Sequence, residues 1–369
     1  MCKKKILCIL IPDHYSLNLG GAEYQVKLLI DALIETDKYK IIYLCNKAKK
    51  DFKHKKYQVK IIQDHGLLKS FFPILMIKRI YRELKIIRPD IIYQNVGGIH
   101  TGIAAFYARR HKCKFLWHAA SDDDIIPQTR WSFRQIMLMG LSRLFLNYGI
   151  KNSDMIALQT QHQAKLLKKR FGIVCSNFIP IGHPLPSYNP DKNKPIKVIW
   201  VANIKPLKRP EVFVKLAKRF SHRKDISFIM IGRPGWGKWF SDLLSKINKM
   251  ENIRYLGKID QNEVNRHLNQ SHVLVNTSIY EGFSNTFVQA WMRRVPVISL
   301  IVDPDNIITK NKLGFKSETM EQLISDLSKL IDNDYLREVM GNNAQKYSFE
   351  NHGIKKMTES AIKILDTLS

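Results

Sequence analysis

The chain is poor in three features that would each suggest a class of protein: paired cysteines, long apolar runs and acidic residues. Its 369 residues include five cysteines, and these show no CxxC pair and no metal-ligand spacing. An odd, scattered set argues against a disulfide framework and is typical of a reducing compartment, so we expect a cytoplasmic protein. The longest strongly apolar run away from the N-terminus, residues 71–77, is far below the roughly 18 residues that span a bilayer.

The first residues resemble a signal peptide only in outline. A basic start is followed by an apolar stretch of seven residues, 6–12, and no small-residue cleavage site comes after it. We therefore expect a first buried strand there.

The scarcity of acids gives a strong positive charge. The 60 Lys and Arg residues stand against 32 Asp and Glu, a net charge of +28. Such a field attracts polyanions, phosphorylated substrates or an anionic membrane surface without choosing among them. Since no RRM, KH or helix-turn-helix signature is found, we expect no nucleic-acid partner, and a basic nucleic-acid-binding protein stays the alternative from another class.

Apolar runs that alternate with helical spacing predict two parallel α/β sheets. The first half opens with an apolar run at 5–12, two glycines and a helical pattern from Ala22 to Ile34, and the second half restarts with the run at 197–202. The other predicted strands are 41–45, 91–94, 114–118, 155–158, 227–231, 254–256, 273–275 and 296–300. The other predicted helices are 210–220, 235–250, 261–270, 285–293 and 318–331.

A Pro-rich segment separates the two halves. Residues 184–195 contain four prolines, which excludes a regular helix or a central strand. We predict an α/β fold of two Rossmann-like domains, 1–188 and 189–352, whose parallel sheets face a central cleft. Ligands of such sheets bind beyond the carboxyl ends of the strands, so the informative residues should lie just after the predicted strands.

The segment 280–291, YEGFSNTFVQAW, comes after the predicted strand at 273–275 and runs into a helix. Ser284 is a candidate N-cap whose oxygen can accept an early backbone N–H. The amides of Asn285 and Thr286 then form an anion site. Glu281 precedes that site, where a carboxylate makes more sense as an acceptor from sugar hydroxyls than as a phosphate ligand; simple helix capping is the alternative.

Three further segments carry weaker signals. Residues 202–210 place Lys205, Lys208 and Arg209 after the first strand of the second domain, where lysines would face a diphosphate, although a solvated basic loop is the alternative. Gly20-Gly21 would let backbone amides approach a phosphate, or simply form a turn. His118 ends a predicted strand and either hydrogen-bonds a substrate or is an ordinary buried histidine.

Fingerprints of other nucleotide sites and of metal sites are weak or absent. Neither GxGxxG nor GxxxxGK[ST] occurs, so dinucleotide and P-loop interpretations are disfavoured. Two acidic strings, Asp122–Asp124 and Asp303-Pro304-Asp305, have the DxD form that holds a divalent ion in some nucleotide-sugar enzymes. Both lie in turn-like surroundings, and we expect no bound metal.

Taken in order, Gly20-Gly21-Ala22-Glu23, the histidine after a mid-domain strand, the Lys-bearing loop and Glu281–Thr286 resemble the retaining glycosyltransferases of family 4, which have the GT-B fold. The likeness extends over essentially the whole chain. It implies acceptor binding by residues 1–188, nucleotide-sugar binding by 189–352, and a C-terminal helix within 353–369 that crosses back to the first domain. It implies a UDP- or GDP-sugar as substrate, no cofactor and no metal.

The resemblance also implies roles for individual residues. Glu281, His118 and Lys208 match the catalytic positions, near the donor sugar and its phosphates. The matched donor-binding positions are Gly20, Gly21, Asn203, Lys205, Lys208, Gly232, Arg233, Lys258, Ser284, Asn285, Thr286 and Gln289. The base pocket is placed near Gly232-Arg233 and Gly257-Lys258 by position alone.

The chain departs from the family pattern at two places. Asn203 stands where the family often has an arginine, and Lys205 is a candidate to supply the charge. Gln289 stands where the second glutamate of E-x7-E accepts from the ribose hydroxyls, and a glutamine keeps one acceptor oxygen but loses the charge. The loss of that carboxylate leaves a weakly catalytic nucleotide-sugar-binding protein as one alternative. A nucleotide-sugar epimerase on the same two-domain scaffold is another.

Two basic, apolar stretches of the first domain suggest the acceptor. Residues 66–88 and 130–146 mix Lys and Arg with large apolar side chains, a pattern that suits a membrane interface. We expect a glycan or lipid-linked acceptor used in cell-surface polysaccharide or glycoconjugate synthesis, and a peripheral position on the inner face of the cell membrane. Helices buried against the sheet, with solvated basic faces, are the alternative.

Overall fold

The computed structural model describes residues 4–17, 20–62, 72–126, 133–187, 190 and 192–368, and only the backbone of 72–74 and 133–139. These residues form two compact units, one of 1–182 with 354–369 and one of 183–353. Several predicted features lie partly outside the described residues: residues 1–3 of the basic start, 66–71 and 130–132 of the two basic, apolar stretches, and Tyr188, Asn189 and Asp191 of the Pro-rich segment.

The first unit is built on a six-stranded parallel sheet in the order β3-β2-β1-β4-β5-β6. Its strands are β1 (Lys5–Leu10), β2 (Tyr39–Cys45), β3 (Gln58–Ile61), β4 (Ile91–Asn95), β5 (Lys114–His118) and β6 (Met155–Ala157). Its helices are α1 (Gly21–Glu35), α2 (Phe72–Ile87), α3 (Ile99–Ala108), α4 (Phe133–Lys151), α5 (Gln161–Phe171) and, from the end of the chain, α13 (Ile354–Thr367).

The second unit repeats this topology in the order β12-β11-β10-β7-β8-β9. Its strands are β7 (Ile196–Val201), β8 (Ile226–Ile231), β9 (Ile253–Tyr255), β10 (Val273–Asn276), β11 (Val297–Ser299) and β12 (Gly314–Lys316). Its helices are α6 (Pro210–Arg219), α7 (Gly237–Asn248), α8 (Gln261–Asn269), α9 (Asn285–Trp291), α10 (Ile307–Lys310), α11 (Met320–Asp332) and α12 (Asp334–His352).

Alternation along β1 explains why that strand is apolar without interruption. Successive side chains of a strand point to opposite faces of the sheet. Leu7 and Ile9 pack in the apolar cluster that includes α1 and α13, while Cys8 and Leu10 pack in the cluster that includes α2 to α5. Both faces of the first sheet are covered, which is the usual arrangement for a parallel sheet.

The predicted fold class is confirmed, because both sheets are parallel and helices alternate with their strands. The predicted elements omitted the edge strands β3 and β12 and the helices α10 and α12, and they gave no bounds for α2 to α5. The unit boundary falls between Gly182 and His183, just before the first prolines of the segment at 184–195. Residues 354–367 form α13, whose buried residues Met357, Ala361 and Leu365 pack with the α1 side of the first sheet.

Candidate functional site

The basic loop after β7 is held in place by the end of β10. Its last turn, Pro206–Lys208, is fixed by a hydrogen bond from the hydroxyl of Thr277 to the carbonyl oxygen of Lys208, 2.6 Å long. The Thr277 hydroxyl in turn accepts from the buried indole nitrogen of Trp200 at 2.9 Å. The backbone nitrogen of Ile279 also donates to the carbonyl of Leu207 at 3.0 Å. The core tryptophan of β7 therefore determines, through one threonine, where Lys208 stands.

Lys208 and Glu281 form an ion pair at this position. The Lys208 Nζ lies 2.5 Å from Glu281 Oε1, and the side chains are only 19% and 16% exposed. The Ser278 hydroxyl donates to the same carboxylate oxygen at 2.7 Å and accepts from Asn276 Nδ2 at 3.3 Å. Charge-assisted bonds with restricted solvent access fix both charged groups before any ligand arrives.

The pair changes the sequence interpretation of both residues. The motifs assigned Lys208 to phosphates and Glu281 to sugar hydroxyls as separate tasks, and they gave no sign that the two touch. A lysine between a carboxylate and an approaching phosphate reduces their repulsion, so a negative ligand becomes compatible with Glu281. The arrangement can bind an anion through Lys208 and a neutral hydroxyl through Glu281.

Helix α9 begins at the predicted place, but its cap differs from the prediction. Ser284 occupies the N-cap position, yet its side chain accepts no backbone N–H. Its hydroxyl instead lies 2.9 Å from the hydroxyl of Thr286, so the two short side chains satisfy each other. The predicted Ser284 side-chain cap is therefore wrong. Only the carbonyl of Ser284 enters the helix pattern, accepting from the Phe287 nitrogen at 3.1 Å.

Asn285, the first residue of α9, is oriented by a histidine that no sequence motif indicated. His183 is 2% exposed, and its Nε2 lies 3.0 Å from Asn285 Oδ1. Its backbone nitrogen donates to the carbonyl of His352 at 2.8 Å. Burial, with smaller effects of His352 and Arg293, lowers the pKa of His183 to about 3 although the bond to Asn285 opposes this shift. The imidazole is therefore neutral and its Nε2–H donates to the asparagine.

The predicted base-pocket residues come together at the ends of β8 and β9. The Gly232 nitrogen donates to the carbonyl of Gly257 at 2.9 Å, and the Tyr255 hydroxyl donates to the carbonyl of Gly232 at 2.8 Å. A Cβ at Gly232 would lie 1.7 Å from the Ala202 carbonyl oxygen, so only glycine fits where β8 passes the loop after β7. Arg233 is half-buried and Lys258 is exposed.

The two departures from the family pattern differ in their surroundings. Asn203 and Lys205 are both exposed on the loop after β7. Gln289 is 3% exposed inside α9, and its Nε2 donates to Asn265 Oδ1 at 3.4 Å. A glutamate could not donate to that oxygen, so the glutamine suits its neighbour Asn265.

In the first unit, the predicted glycines stand where α1 begins. Gly20 is the N-cap of α1 with φ −85° and ψ 179°, and its carbonyl accepts from the Tyr24 nitrogen at 3.0 Å. Gly21 is the exposed first residue of the helix. Any residue can adopt the backbone conformation of Gly20, so this position does not need the conformational freedom of a glycine. What the glycine offers there is the absence of a side chain.

His118 is a buried, neutral histidine at the end of β5. It is 6% exposed, and its Nδ1 lies 2.7 Å from the hydroxyl of Tyr93. Its carbonyl accepts from Asn95 Nδ2 at 3.0 Å. Burial lowers the pKa of His118 to about 4, and a backbone hydrogen bond at Ile179 opposes that shift. At neutral pH the ring can therefore take part in hydrogen bonds but carries no charge.

Both acidic strings have structural partners. Asp124 is buried and accepts from the backbone nitrogens of Gly97, Ala120 and Ser121 at 2.7 to 3.0 Å, while burial raises the pKa of its carboxyl group. Asp303 accepts from the nitrogens of Ile308 and Thr309 at 2.8 and 3.2 Å. Within the described ranges, no group of three or more His, Cys, Asp or Glu side chains could hold a metal ion.

The helices of the described part of the chain include none that is long and apolar enough to cross a membrane. The basic loops stand on a scaffold whose two units each have six parallel strands, with the charged pair beyond the carboxyl ends of the second sheet. This position agrees with the general rule for ligand sites on open α/β sheets.

The two parallel sheets of six strands, with helices between the strands, give the chain the GT-B fold of glycosyltransferases. Residues 186–347, all within the second unit, match the family model for glycosyl transferases group 1. This match and the fold confirm the predicted resemblance to GT-B glycosyltransferases.

Individual relatives are distant in sequence and similar in fold. An uncharacterized glycosyltransferase of Methanocaldococcus jannaschii is 22% identical over 253 residues, which is 62% of this chain and 60% of that protein, so the match spans less than two thirds of the relative's length. Sucrose-phosphate synthase from Thermosynechococcus elongatus superposes with a TM-score of 0.82 at 13% identity, covering 99% of each chain. HepE of Anabaena, solved with UDP and glucose, superposes with a TM-score of 0.75 at 13% identity, covering 98% of this chain and 100% of HepE.

Proposed function

We propose that the chain is a retaining glycosyltransferase that moves a sugar from a UDP- or GDP-sugar to a hydroxyl of a glycan or lipid-linked acceptor. The observation that carries the proposal is the half-buried pair of Lys208 and Glu281 beyond the ends of β7 and β10. One site then offers a cation for a diphosphate and a carboxylate for sugar hydroxyls. The family match over residues 186–347 supports the assignment of this chemistry to the second unit.

The leaving group determines what the site must stabilise. As the bond between the anomeric carbon and the phosphate oxygen breaks, negative charge grows on the diphosphate. Lys208, the exposed Lys205 and the backbone amides of Asn285 and Thr286 would stabilise this charge. Donors fixed beforehand are effective because they need no reorganisation during the reaction. In this proposal these groups take the place of a divalent ion, and no cofactor is used.

The other half of the reaction forms the new glycosidic bond. The acceptor oxygen bonds to the anomeric carbon on the face from which the diphosphate departs, and its proton passes to the leaving phosphate oxygen. Glu281 and His118 would position the sugar ring. Because His118 is neutral, with a pKa of about 4, its contribution is a hydrogen bond and not a positive charge.

The donor class and the location rest on a related fold and on the net charge. HepE, which shares the fold, was solved with UDP and glucose, and this supports a nucleotide-diphosphate donor here. A net charge of +28 favours phosphorylated ligands and anionic surfaces. We therefore place the protein in the cytoplasm, at the inner face of the cell membrane, in synthesis of a cell-surface polysaccharide or glycoconjugate.

A thermal-shift screen of UDP- and GDP-sugars tests the proposal. A true donor at about 100 times its Kd should stabilise the native state by about 2.7 kcal/mol. Lys208→Met should lose the shift, whereas Lys316→Met, which breaks an ion pair with Glu318 on β12 in the same unit, should keep it. EDTA should not change turnover. A donor that stabilises wild type and Lys208→Met equally would contradict the assignment.

A second candidate function rests on Gln289. This buried residue donates to Asn265 where the family pattern has a carboxylate, which fits a weakly catalytic protein that binds nucleotide sugars. If the second candidate is right, wild type shows donor binding with very slow turnover, and Gln289→Glu raises the turnover. Normal turnover in wild type would reject it.

A further inference from the structure

An apolar groove lies on the first unit between helices α2, α3 and α4. Its volume is about 490 Å³, and its apolar lining includes Ile77, Tyr81, Phe106, Leu144 and Tyr148. Leu144 is 67% exposed, and Phe106 and Tyr148 are nearly 40% exposed. Single exposed apolar residues are normal on soluble proteins, but a contiguous set around a groove marks a surface for another molecule.

Two glycines hold one wall of this groove in place. A Cβ at Gly102 of α3 would lie 2.6 Å from the backbone oxygen of Phe145 in α4, and one at Gly149 would lie 2.5 Å from the backbone of Thr101. The two helices therefore pack backbone to backbone. This close approach fixes α3 against α4, and both helices contribute side chains to the groove.

The charged residues shown at the groove are basic. In sequence, helices α2, α3 and α4 contain seven Lys and Arg residues and a single acid, Glu83. That acid lies within 3.6 Å of Lys60. Lys78 lines the groove itself, and the guanidinium of Arg110 stacks 3.5 Å from the ring centre of Phe106. An apolar groove with a positive rim is complementary to a molecule that has an apolar tail beside an anionic group.

We propose that this groove takes an acyl chain of an anionic lipid in a bilayer leaflet, so that the first unit docks on the membrane through α2, α3 and α4. The positive rim would face the lipid phosphates while Leu144, Phe106 and Tyr148 contact the chain. A nucleic acid would match the charge but not the apolar groove, and a second copy of this chain would bring the same positive rim. The proposal deepens the acceptor half of the proposed function and rests on it, because docking there would bring the enzyme to a lipid-linked acceptor.

Vesicle flotation with the full chain tests the proposal. We expect binding to vesicles of phosphatidylglycerol and phosphatidylcholine, and at least tenfold weaker binding to phosphatidylcholine alone. Leu144→Asp should weaken binding to the anionic vesicles at least tenfold. Val174→Asp, at an aliphatic residue of the same unit that is 77% exposed outside the groove, should leave it unchanged.

Two double charge-reversal variants distinguish the effect of the positive rim from the effect of the protein's net charge. Lys78→Glu with Arg110→Glu should reduce flotation strongly, whereas Lys355→Glu with Lys363→Glu on α13 removes the same charge and should reduce it little. Equal flotation of Leu144→Asp and Val174→Asp, or equal loss in the two double variants, would overturn the proposal. A concentration-dependent dimer that Leu144→Asp abolishes, with no flotation of wild type, would assign the groove to a second copy instead and would also overturn it.

The nucleotide-sugar thermal shift distinguishes this proposal from the proposed function. Leu144→Asp should keep that shift, because the residues that carry the proposed diphosphate site lie in the other unit. Flotation that depends on Leu144 in a protein that no nucleotide sugar stabilises would retain the groove and reject the donor assignment.

Discussion

The two units have the same strand order. They differ in the segment that follows their first strand along the chain, β1 in the first unit and β7 in the second. In the first unit, α1 begins after Gly20, and the predicted signal there is the pair of glycines at the helix start. After β7 the second unit has a basic loop that Thr277 fixes beside Glu281. The surfaces of the two units also differ in polarity. The first unit has an apolar groove between α2, α3 and α4, whereas the second has the ion pair of Lys208 and Glu281. One topology thus carries two different surfaces, because loops and helix faces, and not the sheet, differ between the units.

We expect the largest effect from variants that break the charged pair of the second unit. Glu281→Gln keeps a hydrogen-bonding side chain beside Ser278 but removes the charge, and Lys208→Met removes the cation. We expect each to lower turnover by about 10²–10³-fold, the typical loss when one preorganised group is removed. Initial rates with the donor found by thermal shift are the measurement.

Lys316→Met should retain near-normal turnover, because Lys316 is the last residue of β12 and pairs with Glu318 just beyond that strand. If this control lost as much activity as Lys208→Met, the loss would reflect folding of the second unit and not the site.

The next effect concerns the end of the chain and the stability of the first unit. Leu365 of α13 is 1% exposed in the cluster that α13 shares with α1. Leu365→Ala should lower the free energy of unfolding of the first unit by about 2–4 kcal/mol, as cavity-forming substitutions do. Urea denaturation measures it, with the exposed Lys363→Ala as the control.

The donor-induced thermal shift should survive Leu365→Ala under native conditions, since the charged pair belongs to the other unit. Loss of donor binding in a variant that is still folded would contradict this separation of tasks.

Acid should destabilise the protein through buried neutral histidines. In the first unit burial lowers the pKa of His100 and of His118 to about 4, compared with 6.5 for a free histidine. The unfolded state therefore binds more protons below pH 6.5, and native stability falls as the pH drops from 6.5 toward 4. Between pH 7 and pH 5 each such histidine should cost roughly 2 kcal/mol.

His100→Gln tests this pH dependence by denaturant titration at pH 7 and pH 5. The variant should lose about 2 kcal/mol less than wild type over this interval. An identical loss in the two proteins would show that other groups, such as the acids, control acid unfolding.

The smallest predicted effect concerns His183 as a positioning residue for Asn285. His183→Ala should raise the KM for the donor about tenfold, equivalent to roughly 1.4 kcal/mol, with little change in kcat. His183→Gln, which can also donate to Asn285 Oδ1, should recover most of the loss, and the exposed His222→Ala should change nothing. If His183→Ala lowered kcat and left KM unchanged, the positioning role would be wrong.

The sequence predicts the interior strands and the edge strands β6 and β9, but it misses the edge strands β3 and β12. Strands such as β1 and β7 are buried on both faces, so each appears as an uninterrupted apolar run. The edge strand β3 alternates polar and apolar residues and is only partly buried, and β12 has three residues, so neither has a run to detect. Helix α12 was missed because its 19 residues have a weak apolar face.

The sequence predicts several residues of the candidate site, but it does not predict which of them contact one another. Local motifs indicated Lys208 and Glu281, yet 73 positions separate them in the chain, and only the pairing of the loop with the end of β10 brings them together. His183 and Asn285 are 102 positions apart, and no local pattern marks that histidine. The Ser284 cap was wrong because Thr286, two residues away, offers its hydroxyl a partner that the capping rule does not consider.

A crystal structure of the protein with a UDP- or GDP-sugar tests the central claim most directly. The account predicts the diphosphate within about 3 Å of Lys208 Nζ, the length of a charge-assisted hydrogen bond, with a sugar hydroxyl on Glu281. A diphosphate bound elsewhere, with Lys208 still turned only to Glu281, would contradict it.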